Sequence, residues 1–465
     1  MDIVLLFGAV AGAVWLLIFA RTLGLMGGCL LTLLLGIVFG SEFYSVGPVH
    51  AGRLALVALV GCYIAMRKVG LADPKRLSRV DFAFGMFIAC LVLSTITTDL
   101  GFEEGRSIKR LLFFNLLPAA MYWVSRNMES RPGAIVAMFW GVMWFGVYLS
   151  LTSVAEKTGQ YGLVFPSYIT SGANYEFLGR GRGPLLNPSA NGILICAGWF
   201  SLWMLWPHVR QFGRLFIVTC SVVFAAGIFC TLTRCVWLGA MLGIAVMIYF
   251  ALPKRVFGVI SMAALMVAIL LGPLIIEKGS RFKRDKDVSV DEMASSATLR
   301  PMLAIVAWEI FKDYPLTGVG FGQYKKYDRY YLGSENYGMP LERLRPYHQH
   351  NIFLSYLTEV GLIGMSIFAA LFFGWMLYAK RLWDAVDAPL EMRQLGLFYI
   401  AFMLSWLCNA MFQDVSIMTM VNMVLFFFSG LLVGCYVKYV AKAPEPATLA
   451  PAESQLTATE QAVAA

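Results

Sequence analysis

Two histidines and an amide, His348, His350 and Asn351, stand at the mouth of an apolar helix-forming run, HQHNIFLSYLTEVGLIG at 348–364. Imidazole is the side chain whose ordinary pKa lies nearest neutrality, so His350 is equipped to take a proton from a hydroxyl such as that of a sugar. A lone interfacial histidine is more often a hydrogen-bonding partner of the helix end, and that reading stands beside the catalytic one. His348 either shares the site or shapes the loop. The second chemical feature is guanidinium. Arg182 precedes a G-P-x-x-N-P turn, Arg234 lies in an apolar run between Cys230 and Trp237, and Arg300 opens a helical pattern. Such groups hold phosphate-like anions bidentately and stay charged. An isolated arginine at a membrane interface usually only snorkels to water, but inside an apolar run an unpaired charge is expensive. Arg53 near one span end, and Gln413 with Asp414 near another, either line the same cavity or pair with other groups.

Membrane helices must position these residues. Of the 465 residues, 59% are hydrophobic and 14% charged, and the mean hydropathy is +0.70, far from soluble averages. Apolar runs long enough to cross a hydrocarbon core of ~30 Å recur at about 3–20, 23–41, 51–66, 82–98, 111–125, 133–155, 190–206, 215–232, 235–252, 256–276, 352–379, 397–412 and 417–437. The expectation is an all-α polytopic membrane protein of about 12–13 transmembrane helices. The first run reads as a retained span, since Met1-Asp2 offers no basic n-region. Lys and Arg in the short loops (Arg67 and Lys68, Lys75 to Arg79, Arg126 and Arg131, Arg210 and Arg214, Lys380 and Arg381, Lys438) mark one face as cytoplasmic. The opposite face receives 41–52, 99–110, 156–189 and the large segment 277–349. The chain then divides into N-terminal spans (1–276), a large external loop (277–349), C-terminal spans (350–438) and a tail (439–465) whose small, polar, Pro-containing composition suits a disordered cytoplasmic end.

Within the large loop, Leu299, Leu303, Val306 and Ile310 recur at helical spacing. Ser295, Ser296 or Thr298 would cap this helix, Pro301 would sit in its first turn and Pro315 would end it. The helix is expected to lie against the membrane face. Asp285-Lys286-Asp287 has the outline of a metal-binding pair, but its lysines and arginines repel a divalent cation, so it reads as a solvated charge run. Gly318, Gly320 and Gly322 follow no strand and precede no G-K-[S/T], and read as turn glycines. The net charge of +9 is spread over both faces without a nucleic-acid-binding context. All nine cysteines lie in or at the ends of apolar runs, which leaves neither a disulfide framework nor a zinc spacing.

The pattern His350-Asn351, nine residues, Gly361, two residues, Gly364 resembles the signature of the O-antigen ligase and polymerase superfamily. So do GRGRGPLLNPSANG at 179–192, TLTRCVWLG at 231–239, and LRPMLAIVAWEIFKDYPLTGVGFGQY at 299–324. The resemblance covers roughly the C-terminal two thirds. It implies a GT-C-like membrane glycosyltransferase with a partly helical periplasmic loop in the bacterial inner membrane. Such an enzyme moves an undecaprenyl diphosphate-linked glycan to an acceptor glycan or lipid A core, by inversion and with neither metal nor cofactor. His350 would be the base and Arg182, Arg234 and Arg300 the diphosphate cradle, with His348, Asn351, Arg53 and Asp414 in support. The competing class is a flippase or secondary transporter for an anionic lipid-linked glycan, whose charges are expected near the bilayer midplane rather than on one face.

Overall fold

A computed structural model of the chain describes residues 24–441, apart from 41–42, 44, 46–48, 73, 102–105, 172–176, 259–261, 263–289, 333–340 and 342–348. His348, Asp285, Asp287, the first apolar run, most of the run at 256–276 and nearly all of the tail lie outside the described residues. Each other apolar run is a helix. They are α1 (Leu25–Val38), α2 (Ala51–Lys68), α3 (Arg79–Ile96), α4 (Arg106–Leu111) continued through a π turn (Leu112–Leu116) into α5 (Leu117–Asn127), α6 (Pro132–Thr158), α7 (Pro188–Met204), α8 (Gln211–Cys230), α9 (Arg234–Ala251), α12 (Ile352–Asp384), α13 (Leu390–Ala410) and α14 (Thr419–Tyr439). Two more, α10 (Val290–Asp313) and α11 (Tyr324–Tyr331), belong to the large loop. No β-strand occurs among the described residues. Among the described residues six helices, α3, α6, α8, α9, α12 and α14, are long and apolar enough to cross a membrane. The protein is an all-α polytopic membrane protein.

Local chemistry sets the helix ends. Ser78 and Asp81 form a reciprocal capping box at the start of α3. Pro132 and Pro188 occupy first-turn positions of α6 and α7, where a missing N–H costs nothing. The helices α7, α13 and α14 are buried along most of their length, so they form the centre that the others surround.

The described loops gather at two ends. At one end Lys75 donates from Nζ to the Met128 carbonyl (2.8 Å), and Lys438 and Tyr439 donate to the Ser130 carbonyl. Arg126, wholly buried there, donates to both carboxylate oxygens of Asp81 at 2.6 and 2.8 Å, which closes α5 onto α3. At the other end Lys326 pairs with Asp99 (2.8 Å), Tyr168 donates to the Val38 carbonyl (3.1 Å), and Arg180 donates to Thr233 Oγ1 (2.7 Å).

The amphipathic helix departs from its sequence reading in two respects. α10 begins at Val290, so Pro301 lies inside the helix and not in its first turn, and the serines at 295 and 296 are not its cap. The helix-forming residues around Pro301, among them Ala297, Met302, Leu303 and Ala304, together with tertiary burial, outweigh the lost backbone bond. Its apolar stripe also faces protein. Met302, Leu303, Val306 and Ile310 bury themselves with Val319, Tyr324, Leu332 and Leu341 in a small core of the loop's own.

That loop is anchored to α12 through a break in the helix. Gly361 has φ 64° and ψ −165°, a conformation that is essentially restricted to glycine. The break frees backbone groups, and the loop fills it. Val319 and Gly320 donate to the carbonyls of Thr358 and Glu359, both at 2.9 Å, while Leu362 donates to the Pro315 carbonyl (2.8 Å). A Cβ on Gly361 would lie 2.3 Å from the Leu316 carbonyl oxygen. Gly361→Ala should therefore destabilise the purified protein by roughly 1–3 kcal/mol. Gly85→Ala, whose added carbon would meet nothing within 4 Å, should be neutral or stabilising by up to ~1 kcal/mol. Thermal unfolding in detergent distinguishes the two, and equal melting temperatures would refute the anchoring role.

Candidate active site

His350 lies at the end of the bundle that holds the large loop, two residues before α12. Asn351 caps that helix: its Oδ1 accepts from the backbone N–H of Phe353 (2.8 Å) and Leu354 (3.1 Å), and its Nδ2 donates to the Met411 carbonyl (2.9 Å) at the end of α13. Gln349 is held on the other side by a bond from Nε2 to Thr358 Oγ1 (3.0 Å). Between these two tethers His350 adopts φ 49°, a left-handed conformation uncommon outside glycine. Its backbone geometry is thus imposed by its neighbours.

The imidazole is hydrogen-bonded to Gln413 and feels the charges of Arg300, Asp414 and Lys325. Burial pushes its pKa below the usual 6.5, with Arg300 and Lys325 acting in the same direction and Gln413 and Asp414 opposing them. At neutral pH the ring is therefore uncharged, with a nitrogen lone pair available.

Beneath it lies a buried ionic network that sequence reasoning missed. Arg110 donates from one terminal nitrogen to both carboxylate oxygens of Glu359 (2.6 and 2.8 Å). Its other terminal nitrogen donates to Ser355 Oγ (3.1 Å) and Ser416 Oγ (3.0 Å) and reaches Asp414 at 3.5 Å. The same guanidinium lies over the Phe321 ring, 4.8 Å from its centroid. Asp414 accepts from the backbone N–H of Ser416 (3.1 Å) and from its hydroxyl. One cation thus ties α4, α12, the glycine loop and the turn between α13 and α14 together, directly beside Gln413. Arg110 lies two residues before the π turn, an irregularity frequent at functional sites. Glu359 was open to detection, since an acid inside an apolar span is by default a functional or structural hinge of the site.

The three arginines singled out from the sequence separate. Arg182 is wholly buried: its backbone N–H donates to Glu156, its side chain pairs with the same carboxylate (3.8 Å), and it donates to the Ile169 carbonyl. Its guanidinium points inward, toward α6. Arg180, two residues earlier, is likewise buried and holds the 231–233 turn through Thr233 Oγ1 (2.7 Å) and the Thr231 carbonyl (3.3 Å). Arg234 is exposed, as the first residue of α9, so it does not suffer the desolvation that its apolar surroundings in the sequence suggest. Arg300 is exposed too, and lies over the Phe412 ring (5.6 Å). It lies within electrostatic reach of both Cys235 at the start of α9 and His350. Arg53 stacks on Phe113 of the π turn at 3.7 Å. The structure therefore brings together His350, Asn351, Asp414 and Arg300, with Arg234 next to Cys235 at the start of α9, and turns Arg182 inward. Among the described residues no three His, Cys, Asp or Glu side chains are grouped to hold a metal.

Residues 219–369 match the family model described as O-antigen ligase. The match supports the resemblance to the O-antigen ligase and polymerase superfamily over that segment of the chain. The ligase match runs from within α8 to the middle of α12, so it contains Arg234, Arg300, the glycine loop, His350, Glu359 and Gly361. Arg110 and Asp414, which complete the network, lie outside the matched ligase segment. No curated protein matches the chain. The family supports an enzyme of glycosyl transfer embedded in the membrane.

The network makes an energetic prediction. Glu359→Met leaves buried Arg110 with only Asp414, at 3.5 Å, to balance it, and Arg110→Met leaves the Glu359 carboxylate without its cation, so each should destabilise by roughly 3–5 kcal/mol. The double substitution should cost less than the sum, because it removes both charges. Additive losses in a double-mutant cycle would show that the two side chains are energetically independent.

Proposed function

We propose that this protein transfers a glycan from undecaprenyl diphosphate to an acceptor hydroxyl at the periplasmic face of the bacterial inner membrane. The acceptor is a lipid A core sugar or the end of a second lipid-linked glycan. The observation that carries this reading is a neutral histidine beside exposed Arg300, both inside the matched ligase segment. In the proposed step His350 accepts the proton of the acceptor hydroxyl. The acceptor oxygen bonds to the anomeric carbon, the bond from that carbon to the diphosphate oxygen breaks, and the electron pair departs with the diphosphate. One direct displacement inverts the anomeric centre.

Arg234 and Arg300 are the groups assigned to the departing charge. Guanidinium suits a diphosphate because its planar fork binds two oxygens at once and remains charged, and fixed donors count most where charge develops in the transition state. Arg182, tied to Glu156, is assigned the role of shaping the 179–192 turn instead of touching the diphosphate. Asn351 and Asp414 position the base, the first by capping α12 and the second by fixing the Gln413 turn to Arg110. No divalent ion is called for in this scheme.

The test is transfer of label from a purified lipid-linked glycan to an acceptor, with the protein in detergent and excess EDTA present. Wild type should transfer, and His350→Ala should lose the ~10²–10⁴-fold typical of a general base at unchanged protein level. Loss of wild-type transfer on chelation, or near-normal turnover by the variant, would overturn the scheme. Movement of the lipid without covalent transfer would favour a carrier.

The pH profile gives an independent check. A base whose pKa is lowered is already in its active form at neutrality, so kcat/KM should hold its plateau below pH 6.5 before the acid limb falls. Gln413→Leu deletes a bond that favours the protonated ring and should move the limb further into acid. Arg300→Gln removes a repelling cation and should move it up. Limbs that stay in place in both variants would mean that another group titrates.

A further inference from the structure

At the end of the bundle opposite His350, a cavity of about 500 Å³ opens between α2 and α5, lined by Val60, Tyr63, Ile64, Arg67, Lys68, Ala120, Trp123 and Val124. Positions 60, 63, 64, 67 and 68 fall at helical spacing, so one face of α2 supplies both an apolar wall and, one turn further on, two cations. Arg67 and Lys68 are exposed in the last turn of α2, and Trp123 is 39% exposed on α5.

Tyr63 makes this more than a basic patch. It is 3% exposed and lines the cavity, yet its hydroxyl has no hydrogen-bond partner among the described residues. A buried hydroxyl left unpaired costs free energy unless a ligand or water meets it. Arg67 and Arg126 both lie within electrostatic reach of that hydroxyl. Arg126 is committed to Asp81, so Arg67 is the cation left to a ligand.

The geometry points to a binding site for one anionic phospholipid of the leaflet on that side. Its phosphate would be held by Arg67 and Lys68 and accept from the Tyr63 hydroxyl, with an acyl chain along Val60, Ile64 and Trp123. The chemistry requires an amphiphile. Cations at the rim meet a headgroup at the level where basic residues attract anionic lipid, the aromatic Trp123 suits the same interface, and the aliphatic wall continues toward the hydrocarbon. The site is remote from His350 and owes nothing to the proposed transfer, so it stands or falls separately.

The test uses the full-length protein in detergent, with lipid retention measured by native mass spectrometry. Phosphatidylglycerol, chain-matched phosphatidylcholine and inorganic phosphate are the probes. Phosphatidylglycerol should be retained over phosphatidylcholine, by about tenfold less in the Arg67→Gln/Lys68→Gln double variant and by about threefold less in Tyr63→Phe. An Arg210→Gln/Arg214→Gln variant, which removes equal charge from the same end, should retain it as wild type does. Equal retention of the two lipids, an equal loss in the control variant, displacement by millimolar phosphate, or no effect of the double variant would each overturn the proposal. If the double variant does not fold, Tyr63→Phe, which deletes a single oxygen, decides it.

Discussion

The ion pair between Arg110 and Glu359 is the interaction on which the site depends. Two opposite charges inside an apolar bundle are tolerated only when each satisfies the other, because either alone would bear a desolvation penalty of several kcal/mol. Arg110 meets that condition with a fork: one arm is spent on Glu359 and the other on Ser355, Ser416 and Asp414. The charge requirement thereby becomes a geometric one. α4, α12 and the turn after α13 must meet at one point, and His350 hangs between two of those elements through Asn351 and Gln413.

The glycine loop completes the same junction from outside the bundle. Gly318 and Gly320 both have positive φ, and a Cβ on Gly318 would lie 2.5 Å from the Glu359 carbonyl carbon. Bare backbone at Gly318 and Gly320 lets the loop approach α12 closely enough for Val319, Gly320 and Pro315 to take up the groups freed at Gly361. The large loop is for that reason fixed to the helix that carries His350, and Arg300, which α10 brings from the same loop, inherits a defined place near the imidazole. Loop packing and chemistry are coupled by this one contact.

Much of this was legible in the sequence, and the limits have physical reasons. Hydropathy marked the helices because a bilayer demands continuous apolar length, and His350-Asn351 with Gly361 stood out as a motif at a helix mouth, whereas the cap at Asn351 and the break at Gly361 emerge only in the structure. The glycines at 318, 320 and 322 were rightly taken as turn glycines, which their positive φ confirms. The pairing of Arg110 with Glu359 spans 249 positions, and nothing local to either residue records it. Arg182 presented the same residue type as Arg234, but its partner Glu156 lies in a distant helix, so inward and outward arginines could not be told apart. Pro301 misled for a related reason: the burial of Leu303, Val306 and Ile310 against Val319 and Tyr324 decides where α10 lies, and that core is tertiary.

The most direct test of the central claim is a structure of the full chain with a lipid-linked diphosphate glycan and a non-reacting acceptor bound. The account predicts the diphosphate between Arg234 and Arg300, the acceptor hydroxyl about 3 Å from a ring nitrogen of His350, and Arg182 still turned toward Glu156. A diphosphate seated on Arg182, or an acceptor hydroxyl out of reach of the imidazole with the Arg110–Glu359 pair intact, would contradict it.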